Sequence, residues 1–147
     1  MITPQEGAAF FRAHSTLADR RGVYVFGVRA GGGITPIYVG QTKRSYQREC
    51  FTADKANKYN LGLDPYEKGT PILFFLASPQ KAGPVNARVI RDLEDFLIQT
   101  GKVKNEDLVN RRGANEANWG ITGVIRGSGG KPSASARTFK AMMGFSK

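Results

Sequence analysis

Two runs of β-branched and aromatic residues, Val23-Tyr24-Val25-Phe26-Gly27-Val28 and Ile37-Tyr38-Val39, flank Gly31-Gly32-Gly33. Such residues suit a pleated, half-buried surface, and glycines supply the backbone freedom of a tight reversal. Strands this close in sequence pair as an antiparallel hairpin. A third strand is expected at Pro71-Ile72-Leu73-Phe74-Phe75-Leu76, whose near-continuous apolar run reads as a strand buried on both faces.

Helices are expected around these strands. Thr3-Pro4-Gln5-Glu6 has the N-cap, first-turn proline and returning glutamate of a capping box. It predicts a helix over roughly 4–19, with Phe10, Ala13 and Leu17 on one face and Gly22 ending it. Residues 43–59 are polar and basic and predict one or two short helices; 60–70 read as loop. Residues 84–100 carry an apolar stripe of Val85, Val89, Leu93, Phe96 and Leu97, with Gly101 as the stop. Loop follows over 102–115, with Leu108 and Val109 able to tuck inward. Residues 117–126, with Trp119, could add a strand. A flexible link over 127–132 leads to a last helix from Ser133, in which Phe139, Met142 and Met143 face the body. The fold class expected is α/β (α+β): a small three-stranded, mainly antiparallel sheet flanked by helices. Its parts are an N-terminal helix (1–20), a central domain (21–112) and a basic extension (113–147) packed on the core.

Charge narrows the function classes. The 147 residues carry 22 Lys and Arg against 12 Asp and Glu, a net +10. A domain this basic answers to a polyanion, and nucleic acid is the commonest one. Residues 111–147 alone hold seven cations and one acid, Glu116, more than half of the excess. No apolar stretch is long enough for a membrane span, and the N-terminus does not resemble a secretory leader. A lone cysteine, Cys50, fits a reducing, cytoplasmic setting and reads as a packing thiol. It has no histidine partner in range for nucleophilic work, and no Cys/His set suits zinc. Gly31–Gly33 lack the strand–loop–helix setting of a phosphate-binding loop.

Several residues invite a chemical reading. Tyr24 and Tyr38 lie on adjacent strands, each beside a glycine, so strand alternation can bring both to one face; strand aromatics packing a half-buried face are the plain alternative. Arg48 falls on a helix beside the hairpin. Glu94 sits at the border of the apolar stripe, between Ile90 and Ile98, while Asp92 and Asp95 point elsewhere. Asn110 ends the loop after that helix and reads equally as a turn residue.

Gly22-Val23-Tyr24, Tyr38-Val39-Gly40-Gln41-Thr42, Arg48, Glu94 and Asn110, in this order, resemble the GIY-YIG nuclease domain over residues 21–112. Thirteen residues separate the two tyrosines, slightly more than is usual in that family, and Gly31–Gly33 would absorb the excess as a longer hairpin loop. Glu49-Cys50-Phe51-Thr52 holds no histidine where many members carry one; the only histidine, His14, is expected at the surface of the first helix.

The resemblance implies hydrolysis of DNA phosphodiester bonds with one Mg²⁺ (or Mn²⁺). Glu94 would hold the metal, a hard cation whose shell water and phosphate oxygens complete. Arg48 would grip non-bridging oxygens, Tyr24 would act as general base and Tyr38 would bond the phosphate or water. Asn110 would brace the site. Lys43, Arg44, Lys55, Lys58, Arg111, Arg112, Arg126 and Lys131 are the expected nucleic-acid contacts, with the basic tail extending the track. A catalytically weak nucleic-acid-binding module on the same fold is the alternative, and a structural basic protein a third. A membrane partner is not expected; cutting both strands would favour a homodimer.

Overall fold

The hairpin forms at the predicted place. In the computed structural model, which describes residues 1–110, 120–125 and 131–145, β1 (Gly22–Ala30) pairs antiparallel with β2 (Gly33–Thr42). Gly31 and Gly32 make the turn at φ 57° and 82°, left-handed values that a two-residue hairpin loop of the favoured twist demands of both central residues. The sheet order is β2-β1-β3, with β3 (Thr70–Ala77) antiparallel to β1.

This order corrects the reading of the third strand. The strand covered on both faces is β1, the centre of the sheet, buried from Gly22 through Val28; β3 is an edge strand of intermediate exposure. A continuous apolar run cannot by itself tell a central strand from an edge strand covered by helices.

The helices surround the sheet. The N-terminal helix is two pieces, α1 (Pro4–Ala13) and α2 (Ser15–Ala18), broken at His14, which is exposed. The predicted capping box is present at Thr3 and Glu6, but Gly7, Phe11 and Ala18 are the buried positions, in place of the Phe10–Ala13–Leu17 face. After β2 come α3 (Tyr46–Glu49) and α4 (Ala53–Leu63), which extends into the segment read as loop. The long helix α5 (Ala87–Lys104) starts at an Asn86 cap and runs past Gly101. Gly101 is the point where α5 meets Leu108, whose Cδ2 would lie 3.1 Å from a Cβ at position 101, so close packing explains it better than a helix stop. Among the described residues of 117–126 there is no strand, only an isolated bridge between Ile121 and Ile125. The last helix, α6 (Ala134–Met143), is capped by Ser133 as predicted.

Two apolar layers cover the two faces of the sheet. On one, Val23, Val25 and Val39 pack against Ile90, Leu97 and Ile98 of α5 and Phe139, Met142 and Met143 of α6. On the other, Tyr24, Phe26 and Tyr38 pack against Phe11, Tyr46 and Tyr59 from α1, α3 and α4. The helical part of the C-terminal region is thus core rather than appendage. No helix among the described residues is long and apolar enough to cross a membrane.

Candidate active site

The two tyrosines do share a face. Tyr24 stands opposite Gly40 and Tyr38 opposite Phe26, with the tyrosine ring centroids 6.3 Å apart. Gly40 is required here: a Cβ at position 40 would fall on the end of the Tyr24 ring. The ring therefore lies across β2 where that strand has no side chain.

The two phenols differ in surroundings. Tyr24 is fully buried and its hydroxyl has no hydrogen-bond partner; the neighbouring Tyr59 hydroxyl donates to the Cys50 carbonyl (2.6 Å) instead. Desolvation, with smaller effects from Tyr59, Cys50 and Tyr38, pushes the Tyr24 phenol far above its ordinary value. In this fold it is neutral and cannot readily accept a proton. Tyr38 is nearer the surface. Its oxygen accepts a hydrogen bond from Lys55 Nζ (2.9 Å), and the ammonium groups of Lys55 and Lys58 lie 5.2 and 5.6 Å from its ring centroid. Burial pulls Lys55 down, but the Tyr38 bond and the charges of Glu49 and Asp54 outweigh it and raise the ammonium.

Tyr24→Phe removes an unpartnered buried hydroxyl and is expected to stabilise the chain by about 1 kcal/mol. It also removes a group whose neutral form the fold protects. The unfolded phenol ionises near pH 10 and the folded one does not, so stability is intact below pH 10 and falls above it by about 1.4 kcal/mol per pH unit for each such group. Alkaline unfolding of the variant should be shallower by that amount. Urea titrations at pH 7 and above pH 10 check both effects; a destabilised variant at pH 7 would show that the hydroxyl is bonded.

Asn110 is tied to the middle of the second tripeptide. Its Oδ1 accepts from Val39 N and its Nδ2 donates to Val39 O, both at 2.7 Å. Val109 N bonds Ile37 O (3.0 Å) and Asn105 Nδ2 bonds Pro36 O (2.8 Å). Residues 105–110 thus close the outer edge of β2, satisfying groups an edge strand leaves open. Asn110 braces the strand that carries Tyr38.

Glu94 comes to the opposite face. Ile90, Leu97, Ile98 and Gly101 are the buried positions of α5, whereas Val89, placed on the stripe by the sequence, is exposed. At about 100° per residue, Glu94 falls at the centre of that arc rather than at its border, and it is half-buried. Cross-strand partners share a face, so Gln41, opposite Val23, faces α5 as well. The Asn105–Pro36 bond fixes one end of α5 on β2, while Val89 and Ile90 border Gly22 and Leu76 at the other end. Counted back from Asn105, Glu94 stands about 16 Å along the helix; counted on from Pro36, Gln41 stands about 16 Å along the strand. The two positions therefore lie on the same face at about one level of the sheet. Gln41 Oε1 is buried with no hydrogen-bond partner.

These two oxygens suit a hard divalent cation. Among the described residues no group of three His, Cys, Asp or Glu could hold a metal. One carboxylate and one amide oxygen are nevertheless a fitting protein share for Mg²⁺, which keeps several waters and takes phosphate oxygens. The orphaned Gln41 oxygen is the observation on which that fit rests.

The structure therefore brings Tyr24, Tyr38, Lys55 and Lys58 together on one face, with Asn110 at the β2 edge beside them. Glu94 lies on the other face. Arg48 is exposed on α3, and Lys43 and Arg44 are exposed just before it. Lys131 is exposed ahead of α6, away from the tyrosines. Arg111, Arg112, Trp119, Arg126 and residues 127–130 lie outside the described residues. Cys50 is fully buried and its thiol is raised by desolvation, as expected of a packing cysteine. Gln41 is not among the residues the motif pattern singles out, though alternation from Val39 places it on the Glu94 face.

The chain matches no family model, no curated protein and no solved structure.

Proposed function

We propose that this chain is a metal-dependent endonuclease that hydrolyses phosphodiester bonds in DNA, with a GIY-YIG-like domain. One observation carries the reading. Asn110, the last residue of the pattern, bonds both backbone groups of Val39, between Tyr38 and Gly40 and 71 positions away in sequence. Pattern members chosen on sequence order alone are thereby neighbours in space, and Tyr24 lies against Gly40 of the same tripeptide.

The residues divide the work by position. Glu94, with Gln41, would hold Mg²⁺ or Mn²⁺, and the bound ion supplies Lewis-acid stabilisation of the charge that develops on the phosphate. Arg48 offers a planar, always-charged fork to non-bridging oxygens. Tyr38, with the Lys55 ammonium on its oxygen, orients the water or phosphate. Tyr24, kept neutral by burial, supports it from beneath. Tyr38 and Glu94 face opposite sides of β2, so substrate would engage both around the end of the strand.

That separation favours a second reading: a DNA-binding module with weak or no catalysis. Plasmid nicking separates the two. The nuclease reading expects supercoiled DNA to be nicked in Mg²⁺ or Mn²⁺ and left intact in EDTA. Tight, salt-sensitive binding without nicking in either metal would select the binding module.

A further inference from the structure

A second cluster of cations joins Arg44 and Arg48 to two residues that the sequence pattern does not single out, Arg21 and Lys81. Arg21, just before β1, Arg44 and Arg48, around α3, and Lys81, in the β3–α5 connection, line one polar groove of about 460 Å³. Four cations face a single carboxylate there, Asp19, whose Oδ1 accepts from Gln47 Nε2 (2.8 Å). The groove is held in shape by Arg21, whose guanidinium donates to the Gly83 and Gln80 carbonyls and so fixes the connection that carries Lys81 opposite α3.

The observation that makes this a binding site is Ser45. The residue borders the groove and is only 6% exposed, and its buried hydroxyl has no hydrogen-bond partner. It precedes α3 but makes no capping bond. A buried hydroxyl left without a partner is destabilising, and a donor set among converging cations is completed by an anionic oxygen. The lining holds no aromatic side chain and no apolar one larger than Ala82. Its charged and polar lining suits a phosphate better than an apolar base.

We propose that this groove binds a phosphodiester of the DNA backbone, with Ser45 donating to one phosphate oxygen and Arg21, Arg44, Arg48 and Lys81 neutralising the strand. Contacts of this kind position a duplex without reading its sequence. The groove opens at the end of the sheet where Gly22, Thr42 and Ser78 lie, the end near which Gln41 stands. A strand seated in it is led past the β2 end toward Glu94. The inference rests on the DNA reading above but not on catalysis.

The test is binding of a fluorescently labelled duplex in EDTA, followed by anisotropy from 50 to 200 mM salt. Each phosphate contact contributes about 0.9 to the slope of log affinity against log salt. Lys81→Ala should lower that slope by about 0.9, so that the affinity lost across this fourfold range shrinks about 3.5-fold. Lys68→Ala, an exposed cation just before β3 at the far end of the sheet, should leave the slope unchanged. Ser45→Ala should weaken binding about tenfold at fixed salt while the free protein melts no lower than the parent. Slopes for Lys81→Ala that equal the parent's, or that equal those of Lys68→Ala, overturn the groove even if plasmid is cut. A parent chain that does not bind duplex overturns the groove and the DNA reading together.

Discussion

Glu94→Gln should lower metal-dependent nicking about a thousandfold, roughly 4 kcal/mol of transition-state stabilisation. The substitution keeps the side chain's size and shape, removes its charge and exchanges one acceptor oxygen for an NH2 donor, so circular dichroism should show an unchanged fold. Glutamate stands at the centre of the buried arc of α5, between Ile90 and Ile98, where an apolar side chain would pack without desolvating a charge. A hard cation shared with the unpartnered Gln41 oxygen would give a carboxylate at such a place a chemical role. Gln41→Ala should weaken the metal dependence, raising the Mg²⁺ concentration for half-maximal rate, without matching the Glu94 loss. Nicking by Glu94→Gln at the parent rate would remove the single carboxylate on which the metal assignment stands.

Local features of the fold were legible in the sequence because local chemistry determines them. Gly31 and Gly32 fix the hairpin turn, Thr3 and Glu6 fix the first helix, and Ser133 starts the last. What the sequence misplaced depends on tertiary neighbours. Phe74 and Phe75 are as apolar as any buried strand, yet sheet order makes β3 an edge. Gly101 has the composition of a helix stop, yet Leu108 packs on it and α5 continues. The buried arc of α5 turned toward Ile90 and Ile98 because β2 lies beneath it. That turn moved Glu94 from the edge of the stripe to its middle. The site was legible as a set of residue types in order, and Asn110 meeting Val39 gives that order spatial meaning. Its two-faced division was not legible, since alternation assigns faces within a strand but not which face receives which helix. Arg21 and Lys81, separated by 60 positions and joined in the groove only by topology, left no signal in the sequence.

Deletion of residues 131–147 is expected to abolish cooperative folding rather than only weaken DNA binding. Phe139, Met142 and Met143 are all nearly fully buried and belong to the cluster that contains Val23, Val25 and Val39 of the hairpin. Truncating one such side chain costs about 2–5 kcal/mol. Losing three together approaches the roughly 5–15 kcal/mol that holds a whole domain folded. Far-UV circular dichroism and a urea titration check this: the truncated chain should show no cooperative transition, and a parent-like midpoint would show that α6 is dispensable to the core. The segment is basic, with Lys131, Arg137, Lys140 and Lys147. Yet the helical spacing of Phe139, Met142 and Met143 already marks it as packed on the core, because charge on one face of a helix says nothing about what the other face buries. Any contribution of these cations to DNA binding must therefore be read from single charge substitutions on an intact α6, where a change in salt dependence is separable from loss of the fold.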